Sequence, residues 1–515
     1  MNGAESLIRS LVAAGVEVCF ANPGTSEMHL VQAIDKVPEM RGVLALFEGV
    51  CTGAADGYGR MRGSPATTLL HLGPGLANGI ANLHNARRAS SPLINLIGNH
   101  ALYHVEHDAP LTSDIDTLAK NVSCWIKSDS TADSLAGDGM AALQAAMTPK
   151  PGSAGQIATM IIPADACWNP TDNQAAPLPV AARLEVTAEQ IEKVANVLTS
   201  QSLLLLDGDG LSPDCQLLAS RIGAATGCRV MMTTFPSRVD GGPGAAAVGR
   251  LPYFPEHVLA TLEGVTNLVL AGAEVPVSFF AYPDTPSVLV PEGCEVLRLA
   301  QRDEDIFAAL AGLAQRVGAD DKAPLVYEQS LPGRPEGELT TAKAAAILAR
   351  CLPEHAIICG DSGGGGAAFQ PAQQAVPHSW LNLTGGSIGQ GGPAATGAAV
   401  ACPDRPVLAL LGDGASMYTN QALWTQARES LNVTTVVFSN RKYGILETEY
   451  LRLGVNEVGE RAAALFDLGN PEISFVDLAR SMGVPGYPAS DVDEFEAALQ
   501  RCLVEPGPGL IEARV

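Results

Sequence analysis

Two apolar runs that each end in a polar turn constrain this chain more than any other feature. Residues 407–411 form an apolar run that stops at a Gly-Asp-Gly turn centred on Asp413, and residues 433–438 form a second run that stops just before Asn440. Asp413 and Asn440 are 27 residues apart (440 − 413), which is enough for a helical crossover between two neighbouring parallel strands. Both side chains would then emerge at the carboxyl ends of adjacent strands, where open α/β sheets bind ligands.

A carboxylate and an amide oxygen at such an edge are hard-oxygen ligands of the kind that Mg²⁺ prefers, and the ion could bridge to a diphosphate. The alternative is that Asp413 only caps the helix that follows the turn. A Gly-Asp-Gly motif taken alone does not decide between the two. The second polar strand end, at the spacing of one crossover, favours the metal site.

The whole chain alternates short apolar runs with helical patterns. The runs lie at residues 16–20, 43–46, 67–72, 93–97, 157–162, 203–206, 229–232, 267–270, 356–359, 407–411, 434–438 and 509–512. Proline-rich segments at 169–184 and 320–339 interrupt this alternation and are typical of linkers. A chain of 515 residues exceeds what one core usually supports. The sequence therefore predicts an α/β protein of three doubly wound, mostly parallel-sheet domains, at residues 1–170, 185–322 and 338–515.

Composition excludes several classes of partner. The net charge of −23, without any run of Lys or Arg, argues against nucleic acid and against an anionic membrane surface. No stretch of 18 apolar residues occurs, so no transmembrane helix is predicted. The eleven cysteines are scattered without a Cys-x-x-Cys pair, which is typical of buried, reduced thiols and predicts a cytoplasmic protein.

The segment 407–446 resembles the cofactor motif of the thiamine diphosphate (ThDP)-dependent decarboxylase and acetolactate synthase family, which begins with Gly-Asp-Gly and closes with an asparagine. The resemblance implies that Asp413, Asn440 and the backbone carbonyl of Lys442 bind Mg²⁺. It extends over essentially the whole chain, since the three predicted domains match the order of the family's pyrimidine-binding, central and diphosphate-binding domains.

Glu48 lies in FEGVCTGAADGYGR, just after a predicted strand and before a helix rich in small residues. By itself, a carboxylate in this place is more often a helix N-terminal acid that the helix dipole favours. The segment nevertheless resembles the family's glutamate motif, which implies that Glu48 contacts N1′ of the cofactor's aminopyrimidine. In that family the glutamate and the diphosphate site come from different subunits, so the resemblance implies a homodimer or homotetramer.

Thr25, in FANPGTSE, occupies the place of a small polar residue that faces the substrate in the family, and Ser26 is its neighbour. Either hydroxyl could bind a substrate carboxylate or cap the next helix. His71 ends a predicted strand before Gly-Pro-Gly, as a histidine does in benzoylformate decarboxylase, and is our candidate for proton transfer near the covalent intermediate. Three further histidines, at 100, 104 and 107, predict a surface or pocket-rim loop.

The remaining cofactor contacts follow only from the resemblance. The implied residues are Gly363, Gly364, Gly386, Ile388, Gly412, Gly414, Ala415, Ser416, Tyr443, Gly444 and Ile445. The Gly386 carbonyl would accept from the 4′-amino group, and Ile388 would hold the cofactor in its bent form. FAD is not favoured, because LLLLDGDGLSPD in the central block lacks the third glycine of a dinucleotide turn. Phe279 or Phe280 stands where benzoylformate decarboxylase has a second catalytic histidine, which predicts an apolar wall there.

The sequence thus predicts a ThDP- and Mg²⁺-dependent enzyme that decarboxylates a small 2-oxo acid. The enamine intermediate would then be protonated to an aldehyde or attack an aldehyde or keto acceptor, as in acetolactate synthase. The alternatives are a non-ligating decarboxylase of the benzoylformate type and an FAD-containing enzyme like pyruvate oxidase. Glu447 and Glu449 could tune substrate choice, although solvated helix acids are the simpler interpretation.

Overall fold

A computed structural model describes residues 1–151 and 155–515 as alternating strands and helices in three sheets. Within those ranges every pairing of named strands is parallel except one. The predicted α/β class with three mostly parallel sheets is therefore confirmed. None of the described helices has the length and apolar character that a membrane span needs.

The first sheet has the order β2-β1-β3-β4-β6-β5. Its strands are β1 (Val18–Asn22), β2 (Arg41–Leu44), β3 (Ala66–Leu70), β4 (Leu93–Asn99), β5 (Trp125–Lys127) and β6 (Ile157–Pro163). The helices of this part are α1 (Gly3–Ala13), α2 (Met28–Lys36), α3 (Glu48–Arg62), α4 (Leu72–Ala89), α5 (Leu102–Val105), α6 (Ile115–Lys120), α7 (Leu135–Met147) and α8 (Ala164–Trp168). Strand β5 was not predicted, because three residues are too few to show a periodic pattern.

The second sheet has the order β10-β8-β7-β11-β12. The strands in this part of the chain are β7 (Ser202–Leu206), β8 (Arg229–Met232), β9 (Arg238–Gly241), β10 (Gly249–Arg250), β11 (Asn267–Ala271) and β12 (Glu295–Ala300). The helices are α9 (Ala188–Ala195), α10 (Pro213–Thr226), α11 (Pro255–Leu262) and α12 (Ile306–Arg316).

The third sheet has the order β17-β18-β16-β15-β13-β14-β9. Its strands are β13 (Ala356–Asp361), β14 (His378–Leu381), β15 (Val407–Gly412), β16 (Val433–Ser439), β17 (Gly486–Ala489) and β18 (Gly509–Arg514). The helices are α13 (Thr341–Cys351), α14 (Gly363–Ala367), α15 (Phe369–Gln373), α16 (Gly391–Ala401), α17 (Asp413–Tyr418), α18 (Gln421–Arg428), α19 (Gly444–Leu451), α20 (Glu460–Phe466), α21 (Phe475–Ser481) and α22 (Val492–Val504). Strand β9 comes from the central segment and pairs antiparallel with β14, so the central segment also supplies an edge of this sheet.

Helices α3 and α16 join the first and third parts of the chain by close backbone packing. A side chain on Gly57 would clash with the Ala394 backbone, and one on Gly397 would clash with the Ala54 carbonyl. Glycine is needed at such positions because only the absence of a Cβ lets two helix backbones approach so closely. Both helices are almost entirely buried, so this contact fixes the first sheet relative to the third.

A buried polar network reinforces the same junction. The Arg60 guanidinium lies 2.7 Å from the Asp56 carboxylate and also donates to the Asn382 carbonyl at 2.7 Å. Asp56 accepts a further hydrogen bond from Gln390, at 2.6 Å. Each charge is paired and hydrogen-bonded, as a buried ion pair must be if it is not to destabilise the fold.

Candidate active site

Asp413 and Asn440 follow two adjacent parallel strands of the third sheet. Strand β15 ends at Gly412, which pairs with Phe438 of β16, and each polar residue comes just after its strand. The crossover between the strands contains α17 and α18. The sequence-based placement of the two side chains at one sheet edge therefore agrees with the structure.

The Asp413 carboxylate is buried, and its hydrogen-bond donors among the described residues are backbone N–H groups. It accepts hydrogen bonds from the backbone N–H groups of Gly414 at 2.8 Å and Arg441 at 2.7 Å. Burial raises the pKa of Asp413, and these backbone hydrogen bonds oppose the rise. A buried carboxylate without a cationic partner is the kind of oxygen donor that a divalent cation would complete.

The turn after β16 folds back on itself beside Asp413. Arg441 has a φ of 58°, in the left-handed region that non-glycine residues rarely adopt. The Asn440 side-chain oxygen accepts from the Lys442 backbone N–H at 3.1 Å. The turn thereby brings the Asn440 amide and the Lys442 backbone together next to Asp413.

Glycines let aromatic rings pack closely around this turn. A Cβ on Gly414 would clash with the Tyr443 ring, and a Cβ on Gly364 would clash with the Phe438 ring. Gly363 faces open space. Gly363 and Gly364 begin α14, and the hydroxyl of its N-cap, Ser362, accepts from the Gly365 N–H at 2.7 Å.

Four more predicted contacts follow the same turns. Ala415 and Ser416 lie in α17, and the Ser416 hydroxyl donates to the Asp413 carbonyl at 2.8 Å. Gly444 and Ile445 begin α19, and Ile445 is half-exposed. All these residues lie along the chain on either side of Asp413 and Asn440.

Residues 385–389 form a loop that side chains of α4 hold in place. Asn85 donates to the Ser387 carbonyl at 2.7 Å and accepts from the Ser387 N–H at 3.2 Å. Gly386 has a φ of 76°, so its conformation favours glycine, and Ile388 is partly buried two residues later. The role of Asn85 was not apparent from the sequence, because its partner lies about three hundred residues away.

Asp361, at the end of β13, supports this loop from below. One carboxylate oxygen accepts from the N–H groups of Gly389 at 2.8 Å and Gly391 at 3.0 Å. The side chain is fully buried, which raises the pKa of Asp361. Sequence reasoning missed this residue, although it lies two residues before Gly363.

Glu48 begins α3 at the carboxyl edge of the first sheet and is 8% exposed. Its carboxylate accepts from the Asn78 amide at 2.9 Å. A Cβ on Gly75 would lie 3.2 Å from the Glu48 carboxylate and 3.4 Å from the Cβ of His71. Glu48 and His71 therefore flank the same glycine, at the sheet edge where both were predicted.

His71 is held by a buried carboxylate that sequence reasoning did not single out. Its Nδ1 lies 2.8 Å from Glu27, which is 0% exposed, and 3.2 Å from the Ser26 hydroxyl. Glu27 also accepts from the Ser26 hydroxyl at 2.6 Å and from the Gly24 N–H at 2.8 Å. A carboxylate oxygen only accepts, so Nδ1 carries the proton towards Glu27, and Nε2 is left as the ring nitrogen available to a ligand.

Two short helical segments surround His71. The Gly-Pro-Gly segment lies in the first turn of α4, with His71 as its N-cap and Leu72 at a φ of 50°. Thr25 is exposed at the start of a short 3-10 helix, and Ser26 is the hydroxyl that contacts His71. A substrate contact by Thr25 stays a prediction.

Phe279 approaches the Gly386 loop from the central segment. A Cβ on Gly386 would lie 2.5 Å from the Phe279 ring. The Phe279 ring packs against Tyr253, with centroids 5.4 Å apart, and against Phe280, at 4.9 Å. The two phenylalanines are 41% and 54% exposed, so they present apolar surface beside the loop.

The remaining candidate side chains are three histidines that follow β4 and two glutamates of α19. The rings of His100, His104 and His107 follow one another at centroid distances of 5.4 and 5.8 Å. Glu447 pairs with Lys442 at 2.5 Å, and Glu449 accepts from Tyr282 at 3.0 Å. Both glutamates therefore have protein partners.

Asn82 links the start of α3 to the 385–389 loop within one chain. Its amide donates to the Gly49 carbonyl at 2.8 Å and to the Gly389 carbonyl at 3.3 Å. The start of α3 and the end of the 385–389 loop are thus joined by one side chain. Among the described residues, Asn78 is the hydrogen-bond donor recorded for the Glu48 carboxylate.

The sequence is similar to that of known proteins. The chain matches "Thiamine pyrophosphate enzyme, N-terminal TPP binding domain" over residues 1–119 and "Thiamine pyrophosphate enzyme, C-terminal TPP binding domain" over residues 358–513. A Mycobacterium tuberculosis protein named as an acetolactate synthase large subunit, IlvX, is 50% identical over 519 residues, which cover 100% of this chain and 99% of that protein. The chain belongs to the thiamine diphosphate-dependent enzyme family.

Other members of this family carry decarboxylase names. Benzoylformate decarboxylase of Pseudomonas aeruginosa is 28% identical over 535 residues, which cover 97% of this chain and 96% of that protein. The solved structure of a ThDP-dependent 4-hydroxybenzoylformate decarboxylase from Rhodococcus jostii RHA1 matches with a TM-score of 0.84 at 25% identity, over 100% of this chain and 99% of that chain. The protein is a ThDP-dependent enzyme of the acetolactate synthase and benzoylformate decarboxylase type.

The residues that the structure describes suit ThDP, and two glycines of the central segment are engaged within the chain. Open space at Gly363 and the buried Asp413 carboxylate suit a diphosphate with its cation. In the central segment, the N–H groups of Gly208 and Gly210 already donate to Asp207, at 2.8 and 3.0 Å. The Asp207 carboxylate is also paired with Arg302 at 2.7 Å. These two glycine N–H groups are therefore already used in hydrogen bonds within the chain.

Proposed function

We propose that this enzyme uses ThDP and Mg²⁺ to decarboxylate a small 2-oxo acid. The observation that carries the proposal is the pairing, in one fold, of a buried Glu48 beside His71 with a buried Asp413 beside Asn440. The first pair offers acid–base groups and the second offers hard-oxygen ligands.

Each group has a defined task in this proposal. Asp413, the Asn440 side chain and the Lys442 backbone carbonyl hold Mg²⁺, and the start of α14 receives the diphosphate. When bound, ThDP supplies the nucleophilic carbon that adds to the keto carbon of the substrate and stabilises the charge left by CO₂. Glu48 exchanges a proton with the aminopyrimidine N1′, and Asn78 keeps the Glu48 carboxylate in place.

His71 is the proposed proton donor after CO₂ leaves. Glu27 holds the ring by Nδ1, so Nε2 is the nitrogen that delivers or receives the proton. Protonation at carbon releases an aldehyde, whereas attack on an aldehyde or keto acceptor makes an acyloin or acetohydroxy acid. The relatives' names divide between these outcomes, and the exposed Phe279 and Phe280 favour a substrate with an apolar side chain.

The test is a panel of 2-oxo acids with ThDP and Mg²⁺, with and without aldehyde acceptors, in which CO₂ and the organic product are measured together. We expect CO₂ release from at least one 2-oxo acid, with an aldehyde or a ligated product in equal amount. The preparation should be fully active and lack flavin absorbance. Substrate turnover without CO₂ release, or activity that depends on added FAD, would contradict the proposal.

We further propose a cytoplasmic homodimer or homotetramer with its active sites between subunits. Exposed apolar side chains at both sheet edges support this: Met28 and Leu46 near Glu48, and Tyr418 and Ile445 near Asn440. Eleven free cysteines suit a reducing compartment.

Mixing two inactive variants tests the shared site. If Glu48 and Asp413 act from different subunits, a 1:1 reassembled mixture of Glu48→Gln and Asp413→Ala should recover about a quarter of the wild-type activity, because half of the dimers are mixed and each has one intact site. Sites built within one chain would give no recovery. Sedimentation of each variant alone controls for failed assembly.

A further inference from the structure

Arg452 links the helix that follows the proposed metal turn to the central part of the chain. It caps α19, whose first residues adjoin Asn440 and Lys442. Both terminal nitrogens of its guanidinium donate to the Glu256 carboxylate, in the first turn of α11, and the Nη2–Oε2 distance is 3.0 Å. Its Nε also lies 3.5 Å from Glu449. This two-pronged geometry fixes direction as well as charge.

Two aromatic rings enclose the same guanidinium. Its central carbon lies 4.6 Å from the Phe254 ring centroid and 4.7 Å from the Tyr282 ring centroid. The Tyr282 hydroxyl donates to Glu449 at 3.0 Å. Hydrogen bonds from Arg452 lower the pKa of Glu256 to about 2, so the pair is ionised at neutral pH. We name these five residues (Phe254, Glu256, Tyr282, Glu449 and Arg452) the Arg452 clamp.

A row of aromatic rings connects the clamp to the 385–389 loop. Phe254 packs on Tyr253 at 5.0 Å, Tyr253 packs on Phe279 at 5.4 Å, and Phe279 borders Gly386. Residues 277–288, here named the aromatic arm, carry both Phe279 and Tyr282. The arm therefore contacts the clamp through Tyr282, and through Phe279 it contacts the loop that would receive the aminopyrimidine.

The arm and α19 have few anchors of their own. The arm closes through a bridge between Val277 and Val288 and a hydrogen bond from the Ser278 N–H to the Ser287 carbonyl at 2.8 Å, and Phe280 is 54% exposed. Helix α19 has no buried residue. Elements with so little burial open easily unless a specific contact holds them.

We propose that Arg452 is a positioning residue that holds the aromatic arm against α19 and thereby sets which side chain of a 2-oxo acid fits beside Phe279 and Phe280. The substrate class is then one with an apolar side chain, aryl or branched, that packs on these rings. This specificity role rests on the proposed decarboxylase function. The physical link between Arg452 and the arm does not.

The test compares Arg452→Met with Arg501→Met. Arg501, on α22, has a matching environment, since it pairs with Glu505 at 2.8 Å and lies 4.8 Å from the Tyr487 ring centroid, but it belongs to neither the arm nor the site. We expect Arg452→Met to raise KM for benzoylformate about tenfold, to change KM for pyruvate much less, and to leave ThDP affinity within about twofold. Arg501→Met should change none of these values.

Hydrogen–deuterium exchange gives an answer that does not depend on turnover. Peptides covering residues 277–288 and 444–452 should exchange faster in Arg452→Met than in wild type or Arg501→Met, and Arg452→Lys should lie between. Unchanged exchange would overturn the clamp, even if 2-oxo acids are turned over. Faster exchange with an unchanged benzoylformate-to-pyruvate ratio would overturn the specificity role. If no 2-oxo acid is turned over, the proposed function and the specificity role both fail, while the exchange result still decides the clamp.

Discussion

The polar groups at the carboxyl edges of the first and third sheets are held by different kinds of contact. At the first edge, side chains hold one another: Glu27 fixes His71, and Asn78 fixes Glu48. At the third edge, backbone N–H groups and glycines surround Asp413 and leave open space at Gly363. In the proposed function, the acid–base groups are therefore prearranged by contacts within the chain, whereas the ligand set around Asp413 would be completed by the bound cation and diphosphate. Prearranged catalytic groups lower the cost of reorganisation during the reaction.

The largest expected effect is that of Glu48→Gln, which tests whether the first edge acts in proton transfer and not in cofactor binding. Glu48→Gln should slow exchange of the ThDP C2 proton by about 10³-fold, because an amide cannot pass a proton to N1′. Its ThDP affinity should stay close to that of wild type, since no diphosphate ligand is changed. Proton exchange followed by NMR and cofactor titration by fluorescence measure the two quantities.

Asp413→Ala is the matched variant at the other edge. It should lose ThDP affinity in the presence of Mg²⁺, because the buried oxygen ligand is removed. If Glu48→Gln weakened ThDP binding as much as Asp413→Ala does, the division of labour between the edges would be wrong.

A second prediction concerns the support of His71. His71→Ala should lower kcat by about 10²-fold with little change in ThDP affinity. Glu27→Gln keeps the ring in place but removes the charge beside Nδ1, so it should lower kcat by about tenfold and change the pH profile of kcat. A purely structural Glu27 would lower thermal stability and leave the pH profile of the remaining activity unchanged.

The third prediction concerns the close packing between α3 and α16. Gly57→Ala inserts a methyl group against the Ala394 backbone, so unfolding free energy should fall by about 1–3 kcal/mol. Gly137→Ala in α7 is the control, because its Cβ would meet nothing within 4 Å and alanine favours a helix. Thermal unfolding should show opposite changes for the two variants. Equal stability would mean that α3 and α16 can move apart without cost.

The sequence predicted this fold well where pattern and chemistry are local. The strands ending before Asp413 and Asn440 are long and apolar, so their positions agree with the structure within about a residue. Short strands such as β5 have too few residues for a periodic signal, and β9 joins a sheet that its place in the chain does not suggest. Tertiary context decides such pairings.

In the candidate site too, local patterns could be predicted from the sequence and contacts between distant residues could not. Glu48 and His71 were singled out because each lies at the end of a predicted strand, in a segment that resembles a family motif. Glu27 and Asp361 were missed because what they do depends on partners 44 and 28 residues away, and a lone acid before a helix has a simpler explanation as a cap. Ser26 was weighed together with Thr25, and only the geometry separates them.

The smallest effect tests the link between α19 of the third edge and the central segment. The folded-state pKa of Glu256, about 2, lies below its ordinary value of 4.5, so its pairing with Arg452 stabilises the fold above about pH 4.5 and is lost as the pH falls towards 2. Because the Glu256 side chain is 49% exposed, solvent screening limits the gain to about 1 kcal/mol or less. Wild type should therefore unfold a degree or two above Glu256→Gln at pH 6, and the difference should shrink as the pH falls to 3. A difference of unchanged size at pH 3 would show that Glu256 acts by packing. Charge would then not be needed to hold α19 against the central segment.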